Sequence, residues 1–434
     1  MLDQLAGFAE KQFGLAGNKT TVRTEIIAGV TTFLTMAYII FVNPSILAKA
    51  GMDQSAVFVA TCLAAAIASA AMGLVANYPI ALAPGMGLNA YFAFVVAPQF
   101  GWQAALGAVF ISGVLFLILS VTPVREMIIN AIPRSLKMAI SAGIGLFLGM
   151  IGMQAAGIVV DHPATLVTHG DFRAWTVILA FLGLVAMIGL DHYKIPGGII
   201  IGILAVTVVA MVLGLQKFGG VVSMPPSIAP VFAKLDIGKA LTIGLVTVVF
   251  AFLFVDLFDN SGTLIGIAHR GGFMNADGTV PRLKQALLVD SSSAMVGAVL
   301  GTSTTTSYIE SAAGVKAGGR TGLTAVVVGI CFLLALFFAP LAGSIPAYAT
   351  APALLYVACL MARGMAEIDW EDATEYVPAV LTALVMPFTF SIADGIAVGF
   401  IAYAAMKVAS GRAKEVSPVI AVLAVLFVIK YAVV

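Results

Sequence analysis

Three carboxylic acids stand inside stretches of this sequence that carry few other charges. Asp256 and Asp259 lie in Phe254-Val255-Asp256-Leu257-Phe258-Asp259-Asn260, and Glu310 closes Gly301-Thr302-Ser303-Thr304-Thr305-Thr306-Ser307-Tyr308-Ile309-Glu310. An ionisable residue deep in an apolar segment is expensive and marks a functional position by default. Asp256 and Asp259 are three apart, so on a helix they share one face. A carboxylate accepts hydrogen bonds from N–H groups. Withdrawn from water, it is disfavoured in its charged form and can load a proton near neutral pH. Two amides, Asn43 and Asn89, occupy places that correspond by hand alignment, Asn43 to the Asp259 region and Asn89 to Glu310. An amide donates and accepts at once. Tyr91, Phe92 and Phe258 stand close by in sequence and offer faces for stacking. Together these groups suit a flat ligand edged with donors and acceptors, and a transported proton. The plainer alternative for each polar group is a structural one, hydrogen-bonded to a nearby helix start. Asp394, near a helix start, reads as an N-cap, and His162, His169, His192 and His269 fall in loops.

The elements that must hold these residues are set by composition. Of 434 residues, 61% are hydrophobic and 10% charged, whereas a soluble domain carries about 25% charged residues. Apolar runs of the length that crosses a bilayer, about 20 residues, recur from Ile26 onward. The spacing predicts spans near 25–43, 55–76, 79–98, 101–121, 133–155, 174–191 and 196–215, a polar gap with Pro225, Pro226 and Pro230, and a second set near 240–267, 284–300, 302–316, 321–340, 345–363, 376–391 and 394–409. The stretch 417–434 is apolar too, and either spans or lies in the interface. The polar segment 1–24 carries Leu5, Phe8, Ala9 and Phe13 at amphipathic spacing and does not read as a cleaved signal peptide. With the N-terminus cytoplasmic, Lys and Arg fall inside by roughly three to one. The net charge of +1 gives no footing for nucleic acid, and Cys62, Cys331 and Cys359, all within apolar runs, suggest neither a disulfide framework nor a zinc site. No cofactor is implied; the proton is the expected coupling ion.

The two sets of seven resemble each other. Ile132-Pro133 opens the fifth span and Ile345-Pro346 the twelfth; Ile195-Pro196-Gly197-Gly198 with Gly202 opens the seventh, and Ile392-Ala393-Asp394-Gly395 with Gly399 the fourteenth. Two copies of an odd-numbered unit must lie in the membrane with opposite orientation, an inverted repeat. The Gly198/Gly202 and Gly395/Gly399 pairs are small-residue helix contacts. Pro84, Gly85 and Gly87 break the third span, and the β-branched run Thr304-Thr305-Thr306 favours extended backbone at the start of the tenth. Each is predicted to be a short strand followed by a half-helix. Paired broken helices point to a binding site at the midplane.

Asn77-Tyr78-Pro79 through Phe94, Phe254 through Gly266, Gly301 through Gly322, and Arg23-Thr24-Glu25 through Asn43-Pro44 resemble signature segments of the nucleobase:cation symporters, in the azaguanine/adenine/hypoxanthine/guanine permease branch. The resemblance runs essentially end to end. It implies an all-α polytopic membrane protein of about fourteen spans in two inverted repeats of seven. A core domain would comprise 25–121 and 240–340, and a gate domain 133–215 and 345–409, with the substrate between them and homodimers formed through the gate. By the spacing to Gly262, Asp259 matches the family's span-eight acid, and Glu310 matches its span-ten acid. The expected activity is proton-coupled import of purine bases, adenine or hypoxanthine/guanine, across a bacterial inner membrane. Asp259, Glu310, Asn89, Asn43, Phe92 and Phe258 would bind the base; Asp259, Asp256 and Glu310 would couple the proton, with Asp259, shared with Asp256, carrying it and Glu310 mainly holding the base. An anion transporter of the same general fold would want a cation or a neutral cavity where these acids stand. A membrane enzyme built on Asp256/Asp259 has no accompanying metal-ligand set. A channel would not support gradient-driven accumulation.

Overall fold

A computed structural model of the chain describes residues 2–122, 131–274 and 280–433; within these, the side chains of 2–6, 8, 243–247, 258, 259, 261, 262, 265, 269, 270, 430 and 433 lie outside the described set. Each predicted span has its element. Helical spans cover Val22–Ala48, Gln54–Ala76, Trp102–Val121, Arg134–Ala156, Trp175–His192, Gly322–Gly343, Ala347–Glu367 and Ile392–Ala409, all long and apolar enough to cross a membrane. The helices Gly198–Val212, Ile243–Gly271, Leu283–Leu300 and Ala373–Thr389 and the two broken spans complete two sets of seven. The stretch left open at 417–434 forms the helix Pro418–Val433. At 16 residues it is about 24 Å long, short of the bilayer core. It runs antiparallel along Ile392–Ala409: Phe427 stacks on Phe400, and Tyr431 Oη donates to Asp394 Oδ1 at 2.6 Å. That contact corrects the reading of Asp394, because Ser391 is the N-cap, accepting from the Asp394 N–H. Asp394 stands three residues on, in the first turn, where an acid is favoured by the helix dipole.

The first span breaks at Ala37-Tyr38, between helices Val22–Met36 and Ile39–Ala48. The cause is local. Thr31 and Thr35 return their hydroxyls to carbonyls three or four residues back, Thr31 to Ile27 and Thr35 to Thr32, which bends helices. Pro44 supplies no N–H to the carbonyl of Ile40, one turn before it. The backbone tightens into i→i+3 bonds, Ile40 to Ala37 and Phe41 to Tyr38, a 3₁₀ pattern that in mid-helix marks strain or a hinge.

The third span is the strand Leu82–Pro84 followed by the helix Met86–Tyr91 and a π-helical turn Phe92–Val96; the tenth is the strand Thr305–Ser307 followed by the helix Ser311–Lys316. The two strands pair antiparallel, Leu82 with Ser307, Ala83 with Thr306 and Pro84 with Thr305. Backbone polar groups buried at such a break need partners in the protein, and four N–H groups at the strands have them. Gly85 N donates to Thr304 O (2.8 Å), Tyr308 N to Ala81 O (3.0 Å), Leu82 N to Ser69 Oγ (2.9 Å) and Ala81 N to Ser311 Oγ (3.0 Å). Met72, Ile80, Leu82, Ile267, Ala286 and Leu287 pack into one buried cluster on the side of the Leu82–Pro84 strand.

Contacts divide the chain into two compact units, Met1–Val121 with Phe172–Ala353, and Thr122–Asp171 with Leu354–Val434. The second contains a hairpin, Val159–His162 paired with Leu166–His169, where the sequence suggested loop; His162 and His169 sit on its strands. It also holds a charge cluster at the end of Ile392–Ala409. The fully buried Lys407 ammonium contacts Glu375 at 2.7 Å and Glu415 at 2.9 Å, and Arg412 contacts Asp372 and Glu415, each at 2.6 Å. Arg412, and then Lys407, hold the Glu415 carboxyl down at about 2. A buried cation persists only with such partners. The small-residue pairs act as expected: Gly202 abuts Met187, and Gly395 and Gly399 abut Met386 and Thr382.

Candidate functional site

Glu310 occupies the turn that joins the Thr305–Ser307 strand to the Ser311–Lys316 half-helix, half-buried. Its side chain does not cap that helix. It reaches across to the broken first span, where Tyr38 Oη donates to Oε1 at 2.6 Å. Asn89 lies one turn into the opposite half-helix, its backbone N–H on Gly85 O (2.9 Å). Asn89 and Asn43 are both fully buried and joined: Asn89 Nδ2 donates to Asn43 Oδ1 at 2.6 Å, and Asn43 Nδ2 donates to Thr61 Oγ1 (2.7 Å) and Thr302 Oγ1 (2.9 Å). The amide of Asn43 is thereby engaged on both sides, while Asn89 Oδ1 is buried without a hydrogen bond among the described residues. Phe92 is fully buried, and Tyr91 packs edge-on against Phe252 at 5.4 Å.

Asp256 is buried, with Asn260 Nδ2 at 3.4 Å from Oδ1. The side chains of Asp259 and Phe258 lie outside the described residues. Their backbone belongs to the helix Ile243–Gly271, which packs on both half-helices and on the Thr305–Ser307 strand. The strand crossing thus brings Glu310 and Asn89 onto facing elements, with the helix of Asp256 alongside. Among the described residues no group of three or more His, Cys, Asp or Glu could hold a metal ion.

Sequence reasoning passed over three residues. Asp290, fully buried in Leu283–Leu300, accepts on Oδ1 from Ser307 N (3.0 Å) and Ser307 Oγ (2.8 Å), and so anchors the end of the second strand. It is an acid inside a predicted span, but the three serines that follow it mask that signal. Glu25, fully buried, accepts from Arg320 N, Thr324 N and Thr324 Oγ1 at the start of the eleventh span. Tyr38 carries no signal in the sequence beyond being an aromatic in an apolar run.

Comparison with known proteins decides the family. A family model described as the Permease family matches residues 23–398. The chain belongs to that permease family. Adenine permease AdeP of Escherichia coli (strain K12) is 50% identical, the match covering 98% of this chain and 96% of AdeP. Guanine/hypoxanthine permease PbuG of Bacillus subtilis (strain 168) is 47% identical over 95% of this chain and 97% of its own. A putative permease of Methanocaldococcus jannaschii is 52% identical over 98% of both. Among solved structures, the permease matches the transmembrane domain of a cyanobacterium bicarbonate transporter, BicA, at a TM-score of 0.65 with 14% identity, covering 88% of this chain and 97% of that one. SLC26A9 matches at 0.63 with 10% identity, over 94% and 69%. These two share its fold, which has core and gate domains. The permease is thus a multi-pass membrane transporter and not an enzyme, as the sequence implied.

Proposed function

We propose that this permease imports purine nucleobases, adenine or hypoxanthine/guanine, together with a proton, by alternating access as core moves against gate. One observation carries the reading. Relatives about half identical along nearly the whole chain are named adenine and guanine/hypoxanthine permeases, and the crossing that matches the family's signature segments offers the groups a purine edge needs. Glu310 is a carboxylate to accept from ring N–H or an amino group, Asn89 an amide with a vacant acceptor, and Phe92 an aromatic in the same broken span as Asn89; Phe258, whose side chain lies outside the described residues, is the second aromatic of the proposed site. Asn43 serves the base through Asn89, which it holds. Asp259, with Asp256 one turn earlier, carries the proton. The protein sits in a bacterial inner membrane with its N-terminus cytoplasmic, as a homodimer.

The fold neighbours include a bicarbonate transporter, which raises anion transport as the second reading. Acids at the crossing oppose it, since an anion would meet like charge there. The deciding experiment is uptake of labelled adenine, hypoxanthine and guanine in a transport-deficient host, with a competitor panel and with the proton gradient collapsed. Saturable accumulation that stops on collapse is expected, and Asp259→Asn should abolish accumulation while leaving exchange measurable. Accumulation indifferent to the gradient, or an Asp259→Asn protein that accumulates normally, would overturn proton coupling. Failure to take up any purine would overturn the substrate assignment.

A further inference from the structure

We propose that Tyr38 is a positioning residue for the substrate carboxylate: by donating to Glu310 Oε1 it fixes the orientation of that carboxylate and leaves Oε2 to receive a ligand N–H. The inference rests on the reading of Glu310 as the group that holds the base.

The contact is short, 2.6 Å, within the range of charge-assisted O–H···O⁻ bonds. Tyr38 is 1% exposed, and among the described residues Glu310 is the one hydrogen-bond partner of its hydroxyl. A buried phenol has one proton to give, so the bond selects one carboxylate oxygen. Among the described residues this is the one side-chain hydrogen bond to the Glu310 carboxylate. The two residues are 272 apart in sequence, and the bond joins the first span to the tenth. It exists because the first span breaks where it does. Ala37 and Tyr38 fall between the two helices of that span, and the tightened turn there sets the direction of the ring. Thr35, one turn before, donates to Thr32 O on its own helix at 2.7 Å and lies 3.5 Å from the backbone carbonyl of Glu310, so Tyr38 is the residue of this span that engages the Glu310 carboxylate. A carboxylate free to rotate about its last torsion must be ordered by the ligand, which weakens binding. One held by a buried phenol is already aimed.

The test is binding and uptake of tritiated adenine, hypoxanthine and guanine by wild-type, Tyr38→Phe, Glu310→Gln and the double variant. Phe keeps the ring and deletes the donor. The expected result is a KM and a Kd raised roughly tenfold, the size of losing one hydrogen bond to a charged group, with Vmax within about twofold. In the Glu310→Gln background the same substitution should add less than about threefold, because the two act as a unit. A Tyr38→Phe protein with wild-type KM, or one whose loss is undiminished beside Glu310→Gln, overturns the proposal. Glu310→Gln with wild-type Kd would instead overturn the reading of Glu310 on which it rests. If Tyr38→Phe fails to reach the membrane, or Glu310→Gln binds too weakly to measure, 3-fluorotyrosine at position 38 decides. It keeps the shape and makes the hydroxyl a stronger donor, so KM should move by twofold or more with Vmax kept, and an unmoved KM overturns the assignment.

Discussion

Asp290 is the residue on which the geometry of the crossing hangs most directly. One carboxylate oxygen receives both the backbone N–H and the hydroxyl of Ser307, the residue that pairs with Leu82 across the two strands. Removing the acceptor would leave a buried N–H unmade, which costs about 1–3 kcal/mol. Asp290→Ala should therefore lower stability by that amount in thermal unfolding of the detergent-solubilised protein. Asp290→Asn keeps an acceptor oxygen in place and should lose less than half as much. Equal losses for the two would mean that charge, not the Ser307 bond, is what Asp290 supplies. Asp256 was legible because it interrupts an apolar run, and Glu310 because it follows the helix-breaking threonine run. Asp290 was not, because Ser291-Ser292-Ser293 follow it and the whole tetrapeptide reads as a polar patch. Tyr38 was illegible for the opposite reason: a phenol in an apolar run looks like any packed aromatic until the distant carboxylate is placed beside it.

Elements follow a similar division. That the third and tenth spans break was legible, since Pro84 and Gly85 and the threonine run are local signals. That their strands would pair, and in which register, was not, because the partners lie more than 200 residues apart and neither sequence specifies the other. Helix-to-helix approach is another long-range property. Gly322 opens the eleventh span, held by Glu25 at neighbouring residues and by Asn77 Oδ1 on its own N–H at 2.7 Å. A Cβ at Gly322 would overlap the backbone of Gly73, in the π-helical turn Met72–Ala76 that ends the second span. Backbone on both sides leaves nothing flexible to give way, so Gly322→Ala should cost about 3 kcal/mol, the upper end for overpacking. Gly189, within Trp175–His192, has nothing within 4 Å of its virtual Cβ. Gly189→Ala should leave the unfolding temperature unchanged or raise it, because alanine is the better helix former by about 1 kcal/mol. Similar losses at both positions would show that glycine acts here through helix flexibility and not through the close approach.

At the scale of the whole molecule the claim with most consequence is parity. Fourteen predicted spans separate Glu10 from Lys414, and an even number returns the chain to the side it left. The hairpin around Asp161 follows the fifth span, so an odd number separates it from either end. The apolar residues exposed along the outer helices, Val208 and Val212 in Gly198–Val212 and Val425 and Ile429 in Pro418–Val433, are what a lipid-facing surface requires, but they say nothing of direction. Direction comes from the basic residues, retained on the cytoplasmic side. Asp161, Glu10 and Lys414 are all exposed, which makes them accessible to a probe. In a Cys331→Ala, Cys359→Ala background, Asp161→Cys should react with a membrane-impermeant maleimide in intact cells. Glu10→Cys and Lys414→Cys should react only after permeabilisation. The opposite pattern would invert the protein and keep the span count. Labelling of Glu10→Cys and Lys414→Cys from different sides would break the count itself, because no arrangement of two seven-span repeats can leave those residues on opposite faces of the bilayer.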